Sequence, residues 1–256
     1  MPIKERAAKG AAKEKRGKAA LGEEKKESVW LKYTKAEKKE VETLARDYRS
    51  FLTTCKTERE SVVEAVRQAE AAGYEELGKA TRHGKKLRPG AKVYTVGMKK
   101  TVALFHLGDA PLAGGLSILG AHIDSCRLDL KQNPLYEDGN LAFFDTHYYG
   151  GIKKYQWVAM PLALHGVIVK KDGRVIEVQL GEDEDDPVFC VTDLLPHLAQ
   201  EQMAKKADKV VEGENLDILV GSLPLAGKEK DAVKAGVLAL LKEQYGMEEE
   251  DFQSAE

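Results

Sequence analysis

The stretch Leu116-Ser-Ile-Leu-Gly-Ala-His-Ile-Asp-Ser-Cys126 decides how the chain is read. Residues 116–121 form a nearly unbroken apolar run, the pattern of a strand buried on both faces of a parallel sheet. The character then changes, with His122, Asp124 and Ser125 placing polar groups where that strand ends. In open α/β sheets, sites form just beyond the carboxyl ends of strands. An extended backbone sets His122 and Asp124 on one face, because side chains alternate with period two. A neutral imidazole ligates metal well, and a nearby carboxylate fixes its tautomer and raises its basicity. The spacing alone leaves two readings open for His122, a hydrogen-bonded histidine at a strand end and a metal ligand oriented by Asp124, and an isolated His-x-Asp favours the first.

On the downstream side the pattern turns to short strands. Residues 141–149 read as one strand, and 157–169 as another, interrupted near Pro161. Lys171-Asp-Gly173 is a hairpin signal leading into a strand over 175–180. Residues 182–186 make an acidic, solvated turn that lacks the spaced Asp/Asn ladder and glycine of a calcium loop. A further strand is expected over 188–191, and Asp193 is placed to cap a helix reaching Lys206. A strand over 216–220 and a helix over 231–245, ended by Gly246, complete this part. Consecutive hairpin-like strands after a parallel-sheet pattern indicate a separate β-rich domain. His147 and His165 fall within strand patterns and read as structural.

Upstream, residues 93–96 and 102–107 are short strands about a turn at Lys99-Lys100. Before them come two helices, each opened by a capping box, Thr34-Lys-Ala-Glu37 and Thr57-Glu-Arg-Glu60. The first carries Val41, Leu44, Ala45, Tyr48 and Leu52 on one face, and the second Val62, Val63, Val66 and Ala69, all read as core. Gly73 is the expected stop of the second. His83 and His106 have no ligand-like neighbours. Residues 1–28 are a flexible basic tail of Ala, Lys, Glu and Gly, with nothing to bury.

The 256 residues, 43% hydrophobic and 32% charged, suffice for one large or two smaller domains with real cores. A net charge of -2 gives no electrostatic case for nucleic acid or membrane. No apolar run is long enough to span a bilayer. Cys55, Cys126 and Cys190 are odd in number and widely spaced, so they form neither a zinc pattern nor a disulfide framework. A reducing cytoplasm is the expected setting.

Gly120-Ala-His-Ile-Asp-Ser125 resembles the Gly-x-His-x-Asp-Ser signature of the aspartyl aminopeptidase (aminopeptidase I) family of two-zinc metallopeptidases. Two further blocks follow in family order. The first is Tyr148-Tyr-Gly-Gly-Ile-Lys-Lys-Tyr-Gln-Trp157 with Pro161-Leu-Ala-Leu-His-Gly-Val-Ile-Val169. The second is Asp186-Pro-Val-Phe-Cys-Val-Thr-Asp-Leu-Leu-Pro-His-Leu198. The resemblance covers residues 30–256. It implies an α/β fold, a partial three-layer aminopeptidase catalytic domain with an inserted β-rich dimerisation domain. Residues 29–128 would be the N-terminal part of the catalytic domain, and 129–256 the insertion, incomplete at its C-terminal end. It implies zinc as cofactor, peptides as substrate and homo-oligomers built from dimers. His122 matches a zinc ligand and Asp124 the carboxylate behind it. His197 matches a histidine that reaches a neighbouring subunit's active site and helps hold substrate. Cys126 stands where many relatives have proline.

The family's bridging Asp, its Glu-Glu pair, a further carboxylate and a late His have no counterpart here. Glutamate runs at 23–24, 75–76 and 248–250 read as solvated, as do Lys153 and Lys154. The expectation is the N-terminal half of a zinc aminopeptidase, inactive alone, whose other half lies in the downstream frame or a separate polypeptide. The alternatives are a non-catalytic assembly or regulatory subunit derived from such a peptidase, and a peptide-binding module.

Overall fold

The computed structural model describes residues 27–256. The expected tail, except for residues 27–28, and the glutamate pair 23–24 lie outside the described residues. The chain divides into two compact units, one ending at Phe51 and the other running from Leu52 to Glu256.

In the first unit, helix α1 (Lys35–Thr54) starts as its capping box predicts. The Thr34 amide donates to Glu37 Oε2 at 2.7 Å, and the Glu37 amide donates to Thr34 Oγ1 at 3.2 Å. The apolar stripe is present, yet α1 buries no residue, and Leu44 and Tyr48 are exposed. The expectation that this face is core is therefore corrected. Periodicity says which face would bury, and not that a partner surface is there.

In the second unit, helix α2 (Glu58–Ala71) has its complete capping box on Thr57 and Glu60 and ends before Gly73, whose φ is 85°. It buries Val62 and Ala69, while Val63 stays exposed. Strand β1 (Glu75–Glu76), short helix α3 (Leu77–Ala80), β2 (Lys92–Gly97) and β3 (Thr101–His106) follow. These strands form a sheet ordered β1-β2-β3, on which α2 packs. Met98 and Lys99, both at positive φ, make the β2–β3 turn.

Next come β4 (Arg127–Asp138), β5 (Leu141–Tyr149), β6 (Leu164–Val169), β7 (Val175–Leu180), β8 (Cys190–Val191), helix α4 (Gln200–Met203), β9 (Ile218–Gly221) and helix α5 (Ala232–Tyr245). One antiparallel sheet is ordered β4-β5-β9-β8, and β6–β7 form a hairpin. Phe144, Val191, Leu216, Ile218, Val178, Leu180, Val233 and Leu241 are part of one continuous core between these strands and α5.

Three local expectations are corrected. Residues 116–121 form no strand, and Leu116, Ile118 and Leu119 are exposed, because no described strand offers them a ladder. The strand expected from Trp157 begins only at Leu164, since Pro161 cannot donate to a ladder and Ala159 sits at φ 56°. The helix expected from Asp193 begins only at Gln200 and ends at Met203. Pro196 biases Leu195 away from helical geometry, and the Asp193 carboxylate instead accepts from the Leu194 amide and Gln202 Nε2.

His165 is structural, as expected, and it joins α2 to the β6–β7 hairpin. Its side chain is 7% exposed, with Nδ1 2.8 Å from Glu60 Oε1 and Nε2 2.9 Å from Glu182 Oε1. Burial pushes the Glu60 carboxyl up, but bonds from His165 and the Lys56 and Thr57 amides prevail and hold it below 4.5. A depressed carboxyl contributes stability that is fully present above its unfolded pKa and is lost as pH falls through the folded one. Urea midpoints should therefore fall on acidification below about pH 4.5, and less steeply in Glu60→Gln. His165→Ala should cost about 1–2 kcal/mol in urea unfolding at neutral pH, the low end for charged hydrogen bonds because both carboxylates are partly exposed.

Candidate metal-binding site around His122

His122 and Asp124 lie in the irregular stretch that leads into β4. The expected pairing is present: His122 Nδ1 is 2.9 Å from Asp124 Oδ1 and 3.0 Å from the Asp124 carbonyl oxygen. Both partners are acceptors, so the geometry favours Nδ1 as the donor, and in a neutral ring of that tautomer the lone pair lies on Nε2. The His122 side chain is 83% exposed, and Nε2 has no hydrogen-bond partner among the described residues.

The second oxygen of Asp124 is also held. Tyr149, the last residue of β5, donates its phenol hydroxyl to Oδ2 at 2.9 Å. That bond is the largest influence holding the Asp124 carboxyl below its ordinary range, with the Asp124 amide and His122 adding to it. The same contact pushes the Tyr149 phenol up.

Behind Tyr149 stands Arg127. The two are direct cross-strand partners on β5 and β4, and the guanidinium carbon lies 4.0 Å from the ring centroid. Arg127 Nε donates to Asp129 at 2.6 Å, while one terminal nitrogen donates to Glu58 at 3.0 Å and to the Ser125 carbonyl at 3.3 Å. Glu58 is the first residue of α2, so the capping box that starts this helix also fixes the far end of the network. Immediately after Tyr149, Gly150 at φ 81° allows close approach, since a Cβ there would lie 3.0 Å from Cys126 Sγ.

Tyr149 and Arg127 were not singled out from the sequence. The signal available was the Tyr148-Tyr-Gly-Gly151 block, whose first half becomes the end of β5 opposite Arg127. His197 is exposed in a turn before α4, and no described hydrogen bond or ion pair joins it to His122 or Asp124. His147 is exposed, 4.0 Å from Glu214. All three cysteines are free thiols.

The donors present fit zinc at one coordination position, an imidazole with its far nitrogen fixed on a carboxylate. Among the described residues no group of three or more His, Cys, Asp or Glu is arranged to hold a metal ion. No helix among them is long and apolar enough to cross a membrane.

Comparisons with known proteins identify the family. Residues 51–256 match the family described as Aminopeptidase I zinc metalloprotease (M18). A probable M18 family aminopeptidase 1 of Clostridium acetobutylicum is 54% identical over 230 residues, covering 90% of this chain and 50% of that protein. The crystal structure of an M18 aminopeptidase from Thermotoga maritima superposes with a TM-score of 0.81 at 44% identity, covering 90% of this chain and 49% of that one. Aminopeptidase I from Borrelia burgdorferi gives 0.77 at 37% identity, with 90% and 51% covered. The chain thus spans about half the length of the relatives it matches. Family match, identity and fold together place it: the chain belongs to the M18 aminopeptidase I family of zinc metalloproteases.

Proposed function

We propose that the chain provides the N-terminal half of a cytoplasmic zinc aminopeptidase that removes N-terminal residues from peptides. The observation that carries this reading is His122, exposed at Nε2 and held at Nδ1 by Asp124. His122 would be one zinc ligand, and the remaining ligands would come from residues outside this chain. The chemistry zinc supplies in such sites is Lewis-acid activation of water and of the scissile carbonyl. Asp124 holds the His122 ring in the ligating tautomer. Residues 29–128 would belong to the catalytic domain. Residues 129–256 would form the inserted domain that buries subunit contacts and carries His197 toward a neighbouring subunit's site.

The test is completion. Mixed with a polypeptide corresponding to the second half of the C. acetobutylicum relative, the chain should release arylamine from aminoacyl-arylamides. The activity should disappear on chelation and return with zinc. A complex that forms, binds zinc and shows no turnover on any aminoacyl-arylamide would instead favour a non-catalytic subunit.

A further inference from the structure

We propose that Tyr149 is a positioning residue for His122: its phenol locks Asp124 so that His122 keeps its proton on Nδ1 and presents Nε2. The proposal rests on the reading of His122 as a zinc ligand. It adds a residue to which no role in the site has been assigned.

The geometry shows why Asp124 needs an anchor. Residues 116–126 belong to no strand, so no backbone ladder fixes them. The Asp124 side chain is 37% exposed, so packing covers it only in part. A carboxylate bonded to His122 alone could rotate about its own side chain and carry the ring with it. The Tyr149 hydroxyl occupies the other oxygen, so each oxygen of Asp124 has its own donor. Tyr149 sits on a strand paired across to β4, and its ring is covered by the Arg127 guanidinium. Arg127 is itself tied to Asp129 and to Glu58 at the start of α2. An unbroken set of contacts thus runs from a capped helix and a paired sheet to the Asp124 carboxylate.

The chemical consequence concerns the tautomer. A neutral imidazole has one nitrogen that donates and one that accepts. Metal binding through Nε2 requires the proton on Nδ1, and histidine in water favours the opposite arrangement. Two acceptors facing Nδ1 reverse that preference only while they stay in place. Fixing such outer partners commonly contributes about 10–100-fold to metal affinity or activity.

The experiment is long-range proton–nitrogen NMR on the metal-free chain labelled with nitrogen-15 histidine, at a pH where the rings are neutral. His122→Gln assigns the signal. Wild-type His122 should be mainly the Nδ1–H tautomer, and both Tyr149→Phe and Asp124→Asn should move it toward Nε2–H. Tyr149 is 39% exposed, so the loss of one hydroxyl should leave the backbone amide spectrum unchanged, which a merely structural role would not allow. An unmoved tautomer in Tyr149→Phe, or a wild-type ring already in the Nε2–H form, overturns the proposal. Zinc affinity of the completed enzyme separates the two readings. A tautomer shift combined with zinc binding indifferent to His122→Ala would refute the ligand assignment and leave the positioning intact.

Discussion

In an enzyme completed by its second half, His122→Ala is expected to abolish binding at one zinc site and to stop peptide hydrolysis. The side chain is 83% exposed and makes its described polar contacts only to Asp124, so the change should leave the fold intact. What it removes is the one imidazole that the site prepares for a metal. A catalytic zinc normally has three protein ligands and an open position, and losing one of three leaves an ion weakly held. Asp124→Asn should act in the same direction and less completely, by about 10–100-fold in affinity or activity. An amide can place its NH2 group against Nδ1, which favours the wrong tautomer. Metal analysis of the dialysed variants reads both effects. Unchanged zinc content in His122→Ala would rule the assignment out.

The basis of this expectation was partly legible in the sequence. His122 and Asp124 were paired on the premise of an extended strand; the strand is absent, yet the contact is there at 2.9 Å in an irregular stretch. The capping boxes at Thr34 and Thr57, the hairpin at residues 171–173 and the helix closed by Gly246 were legible because local chemistry decides them. Strand β4 was not, because Arg127–Asp138 is polar and contains Pro134. Proline is tolerated there because the β4–β5 register shifts between Leu130 and Leu135, a bulge that periodicity does not announce. Gly139-Asn140, both at positive φ, was the overlooked turn signal. The 116–121 run was misjudged for the opposite reason. Apolar composition records what a segment is suited to pack against, and the exposed Leu116, Ile118 and Leu119 have no such surface among the described residues. Tyr149 comes between Arg127 and Asp124 only once β4 and β5 are in register, so no local pattern revealed either residue.

The second large effect is that the chain by itself should hydrolyse no aminoacyl-arylamide, acidic ones included, with zinc, manganese or cobalt supplied. One exposed imidazole cannot hold a zinc ion firmly, and a two-metal site must also hold its ions about 3.5–4 Å apart. No cluster of three ligating side chains exists among the described residues to make up the difference. The carboxylates of the network behind His122 are already engaged. Asp124 is bonded at both oxygens, and Asp129 and Glu58 are held by Arg127. Addition of the complementary half should therefore raise the rate from background by orders of magnitude. Turnover by the chain alone that His122→Ala removes would mean that ligands within this sequence have been missed.

The most direct test is a crystal of the completed enzyme grown with zinc, with diffraction recorded on both sides of the zinc absorption edge. The account predicts an anomalous peak about 2.0–2.1 Å from His122 Nε2, with Nδ1 still on Asp124 and the Tyr149 hydroxyl still on the opposite carboxylate oxygen. A fully occupied zinc peak away from His122, or one bound through Nδ1, would contradict it.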